Sequence, residues 1–149
     1  MKFKNFIKIF FAILFVFVST NSYAKTIKWS MQGDSLTLDP HAQNEGPTTQ
    51  VSRQVYEALV TRGLDMSIEP QLATDWKTTD PNTWIFNLRK DVKFSDGSNM
   101  TAKDVVFSIL RAKQPTSDFK EYISTISDVK EIDNYTVQIS TSKPNPILL

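Results

Sequence analysis

The sequence predicts an α/β fold, in which short strands and helices alternate along one small domain. Three observations support this prediction. Apolar residues recur every three or four positions in two segments, as on the buried face of a helix. They alternate with polar residues in two other segments, as on a strand with one buried face. Gly, Pro, Asn and Asp residues separate these segments, which indicates that each is a distinct element.

The first 24 residues have the layout of a secretory signal peptide. Three lysines precede an uncharged apolar run over 9–18, and Ser22-Tyr23-Ala24 then places small residues at both positions that signal peptidase inspects. The run has about ten residues, roughly half of what a membrane-spanning helix needs. We therefore expect residues 1–24 to be a signal peptide cleaved after Ala24, with export to the periplasm. The alternative is an uncleaved N-terminal anchor.

Charge and composition exclude several classes of function. After residue 24 the chain has 14 basic and 16 acidic residues, a formal charge of −2. A chain so close to neutral has no basic stripe for phosphates, so we expect neither nucleic acid nor a membrane surface as a partner. The chain has no cysteine, which excludes disulfides and a lipid-modified cysteine tether.

The first elements predicted after the signal peptide are a strand, a loop and a helix. The strand covers 27–31, and the turn-rich loop covers 32–47. The helix is predicted to begin at Thr48 or Thr49, either of which can accept an unpaired N–H as N-cap, and to end at Gly63. Its apolar stripe consists of Val51, Val55, Ala58 and Leu59.

Two β-hairpins are predicted further along the chain. The first covers 74–89 around Asp80-Pro81-Asn82, where proline presets the turn and Asp80 can accept from the backbone ahead. The second covers 129–140 around an Asp-Asn turn. The residues expected to face the core are Trp84, Phe86 and Leu88 in the first hairpin and Tyr135, Val137 and Ile139 in the second.

A second helix is predicted between the hairpins, starting from a capping box. Thr101 can accept from the N–H of Asp104, whose carboxylate can accept from the N–H of Thr101. The helix is expected to stop before Pro115, and a further short helix is expected over 118–125. The residues that the second helix is predicted to bury are Val105, Val106, Ile109 and Leu110.

The residues offer no pattern typical of catalysis or metal binding. His41 is the only histidine, and it stands in the turn 38–41, where we expect a structural or solvent-facing role. Asp96 is similar to part of a calcium loop, but Phe94 and Val92 occupy positions that need Asp or Asn. The glycine-rich motifs of nucleotide-binding loops are missing from the sequence. We therefore predict no enzyme activity, no catalytic residue, no metal and no cofactor.

Several segments together resemble a known family. In chain order they are Ser35–His41, Val55–Val60, Pro70–Trp76, Trp84–Gly97 and Thr101–Ser108. In this order they resemble the N-terminal portion of the family 5 extracellular solute-binding proteins, the periplasmic oligopeptide, dipeptide and nickel receptors of ABC importers. The combination of the turn 38–41 with Val51-Ser52-Arg53 is similar to the oligopeptide-binding branch.

The resemblance implies a fold and a function. The fold would be a periplasmic-binding-protein-like two-lobed α/β fold of type II, with residues 25–149 forming only the N-terminal part of its first lobe. The apolar ending at 147–149 also favours a truncated sequence. The chain would be the substrate-binding component of an ABC importer, a monomer that captures peptides or a related small solute in the periplasm and delivers them to the permease in the inner membrane. The alternative is a small, self-sufficient secreted structural or interaction domain with no transport role.

The resemblance also suggests ligand-binding residues. The loop after the turn 38–41 is where similar receptors offer backbone groups to an extended peptide. Backbone hydrogen bonds provide affinity without selecting side chains, which suits peptides of varied sequence. The alternative for this loop is an ordinary solvated connection. The candidate ligand-binding residues are Asn44, Glu45, Gly46, Pro47, Thr48 and Tyr122.

Overall fold

A computed structural model describes residues 26–146 and residue 148. The signal-peptide prediction, with its cleavage site after Ala24, lies outside the described residues. The helices and strands all belong to the compact unit Met31–Leu149. In chain order they are α1 (Gly46–Val55), β1 (Val60–Arg62), β2 (Ile68–Pro70), β3 (Ala73–Asp80), β4 (Thr83–Leu88), α2 (Ala102–Ala112), β5 (Ile126–Asp133) and β6 (Thr136–Thr141).

Four strands form one antiparallel sheet in the order β3-β4-β6-β5. Both predicted hairpins are confirmed, as β3–β4 and β5–β6. At the first turn, Asp80 Oδ1 accepts from the N–H of Asn82 at 2.8 Å. At the second, Asp133 Oδ1 accepts from the N–H of Tyr135 at 2.7 Å. Each turn is therefore closed by its own aspartate, as expected for Asp in tight turns.

The core lies on the face of the sheet that also packs against α2. Phe86 of β4 stands directly opposite Val137 of β6, and both side chains are fully buried. Trp76 and Trp84 lie on either side of Phe86, each with its ring centroid 6.5 Å away. The predicted alternation of core residues along both hairpins is confirmed. The other buried members of the core are Ala73, Leu88, Met100, Ala102, Val105, Ile126, Val129 and Ile139.

Helix α2 begins at the predicted capping box. The N–H of Thr101 donates to Asp104 Oδ2 at 2.7 Å, and the Thr101 hydroxyl lies 3.0 Å from the same oxygen. Val105 is buried, and Val106 and Ile109 pack against the core as predicted.

The predicted burial of Leu110 is wrong, since 47% of this residue is exposed. The face of α2 turned to the sheet follows Ala102, Val105, Ile109 and Ala112. Leu110 is rotated by about 100° from Ile109 around the helix axis, which carries it away from that face.

The predicted extent of α1 is wrong at both ends. Its N-cap is Glu45, whose carbonyl accepts from the N–H of Thr49 at 2.9 Å, and Pro47 occupies the first turn. The helix ends at Val55, well before the predicted stop at Gly63. The N-cap therefore lies three residues before Thr48, and Pro47 in the first turn is typical of a helix start.

The contacts of Leu59 show why the helix ends before the apolar pattern does. Its carbonyl accepts from the N–H groups of Gln71 and Ala73, at 3.2 and 2.9 Å, so this segment is extended. The small β1–β2 hairpin follows, and sequence periodicity did not indicate it. Pairing with a distant segment has therefore overridden a local helical pattern.

Two further predicted elements are absent from the described residues. Residues 27–31 are not a strand, because none of the described residues pairs with them. Residues 118–125 form successive turns and not a helix, with Tyr122 N–H donating to the Phe119 carbonyl at 3.0 Å. These turn bonds run from residue i to residue i−3, and the i to i−4 bonds of an α-helix do not form over this segment.

Replacing Phe86 with Ala should lower the free energy of unfolding by about 3–5 kcal/mol, because the change leaves a cavity beneath the centre of the sheet. Phe107 provides a matched control, since it is the same residue type on α2 and is 67% exposed. Phe107→Ala should change stability by less than about 0.5 kcal/mol. Urea denaturation of both variants checks this. Equal effects would mean that Phe86 is not at the centre of the core.

Candidate functional site

The loop before α1 is shaped by its own polar side chains. Thr37 Oγ1 accepts from the N–H of Asp39 at 3.0 Å, and Asp39 Oδ1 accepts from the N–H of His41 at 3.0 Å. The Asp39 carbonyl accepts from the N–H of Ala42 at 3.3 Å. Short polar side chains form such bonds readily, which is why they favour turns. The turn predicted at 38–41 is therefore present, and it starts the candidate ligand-binding loop.

Arg111 ties this turn to helix α2. The guanidinium donates from Nη1 to Asp39 Oδ1 at 2.8 Å and from Nη2 to the other carboxylate oxygen. Nη1 also lies 3.0 Å from His41 Nδ1, and the His41 carbonyl accepts from the N–H of Asp118 at 3.0 Å. His41 therefore has a structural role, which agrees with the sequence-based expectation.

These contacts change the ionisation of two groups. Hydrogen bonds from Arg111 and from the His41 backbone lower the pKa of Asp39 from 3.8 to about 2. Partial burial lowers the pKa of His41 below its ordinary value, and the charge on Arg111 acts in the same direction. At neutral pH Asp39 is an anion and His41 is neutral, so Nδ1 is free to accept from Arg111.

The start of α1 places Thr48 in the interior. Its side chain is 1% exposed, its hydroxyl donates to the Glu45 carboxylate, and it accepts from the N–H of Leu36 at 3.1 Å. Gly46 and Asn44 are exposed, and a Cβ added to Gly46 would meet no atom within 4 Å. Thr48 therefore holds the loop from inside, while Asn44 and Gly46 face outward.

Asn44 and Tyr122 lie together although 78 residues separate them. Asn44 Nδ2 donates to the Tyr122 hydroxyl at 2.9 Å. Tyr122 is 71% exposed, and its ring stands beside that of Phe119, with centroids 6.1 Å apart. Two separately chosen candidates thus form one exposed polar pair with an aromatic surface next to it.

An apolar pocket of about 290 Å³ opens beside Tyr122. Leu59, Ile109, Ile123 and Leu148 are among the residues that line it, so it offers space for an apolar group next to the polar pair. A larger depression of about 880 Å³ lies elsewhere on the chain, and the candidate residues do not line it.

The described residues contain no group of three or more acidic, histidine or cysteine side chains placed to hold a metal. The carboxylate of Asp96 is used within its own turn, because Asp96 Oδ1 accepts from both the N–H and the hydroxyl of Ser98, at 2.8 and 2.7 Å. Over 26–146, no helix has the length and hydropathy needed to cross a bilayer.

The sequence profile of the bacterial extracellular solute-binding proteins, family 5 Middle, matches residues 67–149, more than half of the chain. The chain belongs to this family. Among family 5 relatives, the periplasmic oligopeptide-binding protein OppA of Escherichia coli strain K12 is 34% identical over 129 residues. That alignment covers 74% of this chain and 24% of OppA.

Solved structures of periplasmic binding proteins share the fold. The murein tripeptide-binding protein MppA of Escherichia coli matches with a TM-score of 0.74 and 30% identity, over 78% of this chain and 26% of MppA. MoaA from A. tumefaciens R10, in complex with mannopinic acid, matches with a TM-score of 0.70 and 36% identity, over 76% of this chain and 24% of MoaA. The chain therefore spans about a quarter of the length of its family 5 relatives.

The Asp39 carboxyl should titrate near pH 2, because Arg111 stabilises its anion. Its depressed pKa means that the stability contributed by the ion pair, which is small because both side chains are partly exposed, is fully present above about pH 3.8 and is lost as pH falls through about 2. Carboxyl ¹³C NMR titration measures this pKa directly. Arg111→Met should move the midpoint toward 3.8, whereas Arg89→Met, which breaks the separate Arg89–Asp91 pair, should leave it in place. An unchanged midpoint in Arg111→Met would contradict the assigned contact.

Proposed function

We propose that this chain is part of a periplasmic receptor that captures peptides, or a related small solute, and delivers them to the permease of an ABC importer. Membership of family 5 supports a role in solute binding. The relative OppA is named as an oligopeptide-binding protein and MppA as a murein tripeptide-binding protein, which favours peptides as the solute. The similar protein MoaA is in complex with mannopinic acid, so the proposal includes a small non-peptide solute as the alternative.

The hydrogen bond between Asn44 and Tyr122 is the observation that carries this proposal for the site. It joins the loop 44–48 to an exposed aromatic side chain from a distant part of the chain. In the first turn of α1, the N–H of Gly46 has no partner within the helix, and this residue is exposed. Backbone N–H groups in this position suit the carbonyls of an extended peptide.

Gly46 leaves room for a ligand to approach the loop. The space around its missing Cβ is empty, and its φ is not in the left-handed region, so the fold does not require glycine here. Close approach of a ligand backbone is a second reason for glycine. Asn44, Gly46 and the Tyr122 ring are the surface that we assign to the ligand, while Glu45, Pro47 and Thr48 shape the loop.

The proposal includes the remaining organisation of the chain. Residues 1–24 are a signal peptide, residues 25–149 are an N-terminal portion of the receptor, and the mature protein acts as a monomer in the periplasm. Its task is binding and delivery without catalysis or a cofactor. The relatives OppA and MppA are both named as periplasmic binding proteins, which supports a periplasmic location.

Export should produce a mature chain that starts at Lys25, because the small residues at 22 and 24 fit signal peptidase. Intact mass spectrometry of the periplasmic protein measures this start. Ala24→Asp should block cleavage and leave the protein in the membrane fraction, whereas the same change at Asn21 should not. Recovery of a periplasmic protein that still carries residues 1–24 would contradict the assignment.

Peptide binding can be tested in a hybrid receptor in which residues 31–149 replace the aligned segment of Escherichia coli OppA. Calorimetry against a pool of tri- to pentapeptides should show saturable binding by the hybrid. The isolated chain 25–149 should show none, since a ligand held between lobes needs contacts from both.

Gly46→Val tests the site within the hybrid. The Cβ of valine would meet no atom within 4 Å, but the side chain would occupy the space assigned to the ligand, so peptide affinity should fall by about tenfold or more, equivalent to about 1.4 kcal/mol. Ser108→Val, on the exposed face of α2, is the control and should leave affinity unchanged. A folded hybrid that binds no peptide would favour a structural or interaction role instead.

A further inference from the structure

We propose that Arg111 is a positioning residue for the ligand-binding loop, acting through Asp39 and His41. The role in ligand binding rests on the proposed function, whereas the contacts of Arg111 with the turn do not depend on it. Arg111 does not touch the surface assigned to the ligand. It holds the turn from which the loop 44–48 continues.

The platform that carries Arg111 is fixed at both ends. At the start of α2, the N–H of Ala102 donates to the Asn134 carbonyl at 2.8 Å. Just after its end, Lys113 Nζ donates to the Ile126 carbonyl at 2.5 Å. Both partners belong to the β5–β6 hairpin or its turn. The guanidinium therefore projects from a helix that is anchored on the central sheet.

One stretch of chain grips the loop at three points. Arg111 bonds Asp39, the N–H of Asp118 donates to the His41 carbonyl at 3.0 Å, and Tyr122 accepts from Asn44 at 2.9 Å. These contacts cover the loop from residue 39 to residue 44, directly before the backbone groups assigned to the ligand. Loss of the first point leaves residues 39–40 held only by bonds within the turn and by the contacts that follow.

The geometry of the contact between Arg111 and Asp39 requires arginine. A guanidinium can donate to both carboxylate oxygens at once and still direct an N–H to a neighbouring acceptor, which a single ammonium cannot do in the same geometry. Here the two carboxylate bonds and the approach to His41 Nδ1 use this arrangement. The Tyr56 hydroxyl supports the same turn by donating to the Leu38 carbonyl at 2.9 Å.

Both side chains of the ion pair are partly exposed, at 40% for Arg111 and 34% for Asp39. Exposed ion pairs contribute little to global stability. A contact in this position can therefore order a loop locally without being needed for the core. Loss of Arg111 should be visible in the loop and not in the sheet.

Amide hydrogen exchange of the chain, followed by NMR, separates these outcomes. In Arg111→Met, the loop amides of Leu36, His41 and Ala42 should lose protection by about tenfold or more, because local opening no longer breaks an ion pair. The sheet amides of Leu88 and Thr141, which donate to Tyr135 and Asn82, should keep their protection.

Three variants complete the experiment. Asp39→Asn removes the same contact from the other side and should reproduce the loop effect, and the double variant should add nothing further. Arg111→Lys should not restore protection, because it lacks the forked geometry. Arg89→Met removes the other ion pair of the described chain and should leave the loop unchanged.

Unchanged loop amides in both Arg111→Met and Asp39→Asn would overturn the proposal, and so would an equal loss in the loop and the sheet. In the OppA hybrid, Arg111→Met should weaken peptide binding by about tenfold without lowering the melting temperature. A hybrid that binds no peptide even with Arg111 present refutes the proposed function, while the exchange result still decides whether Arg111 positions the loop.

Discussion

The pairing of β4 with β6 is the constraint on which the rest of the chain depends. These two strands join hairpins that are far apart in sequence, and their contact buries Phe86 against Val137. Helix α2 lies between them in the chain, so the pairing also fixes where α2 returns to the sheet. Because α2 carries Arg111, the position of the distal loop follows from this central contact. The arrangement of the candidate site thus depends on the burial of apolar side chains in the central sheet.

The parts of the fold that sequence predicted correctly are those determined by nearby residues. Alternation around Phe86 and Val137 indicated the strands, and the spacing of Thr101 and Asp104 indicated the start of α2. Leu59 shows the limit of this reasoning. Its spacing fits a helix, but its carbonyl pairs with a segment more than ten residues further on. Local periodicity contains no information about such a partner, so the β1–β2 hairpin could not be predicted.

The candidate site divides in a similar way. The loop 44–48 was named from a family resemblance, and no pattern in the residues placed the candidate Tyr122 beside it. Arg111 and Asp39, which hold the turn before the loop, are 72 residues apart and carry no local signal of pairing. Thr48 was expected at the ligand, but the structure places it inside, where it accepts from Leu36. The backbone path decides which residues of a loop face outward, and composition alone does not reveal that path.

The empty space beside Gly46 has a practical consequence. The chain contains no cysteine, so a single cysteine introduced at this position would be its only thiol. An environment-sensitive fluorophore attached there would stand on the loop that Asn44 joins to Tyr122, and the Cβ that carries it would meet no atom within 4 Å. In a complete receptor such as the OppA hybrid, the emission of this fluorophore would change when the surroundings of the loop lose water.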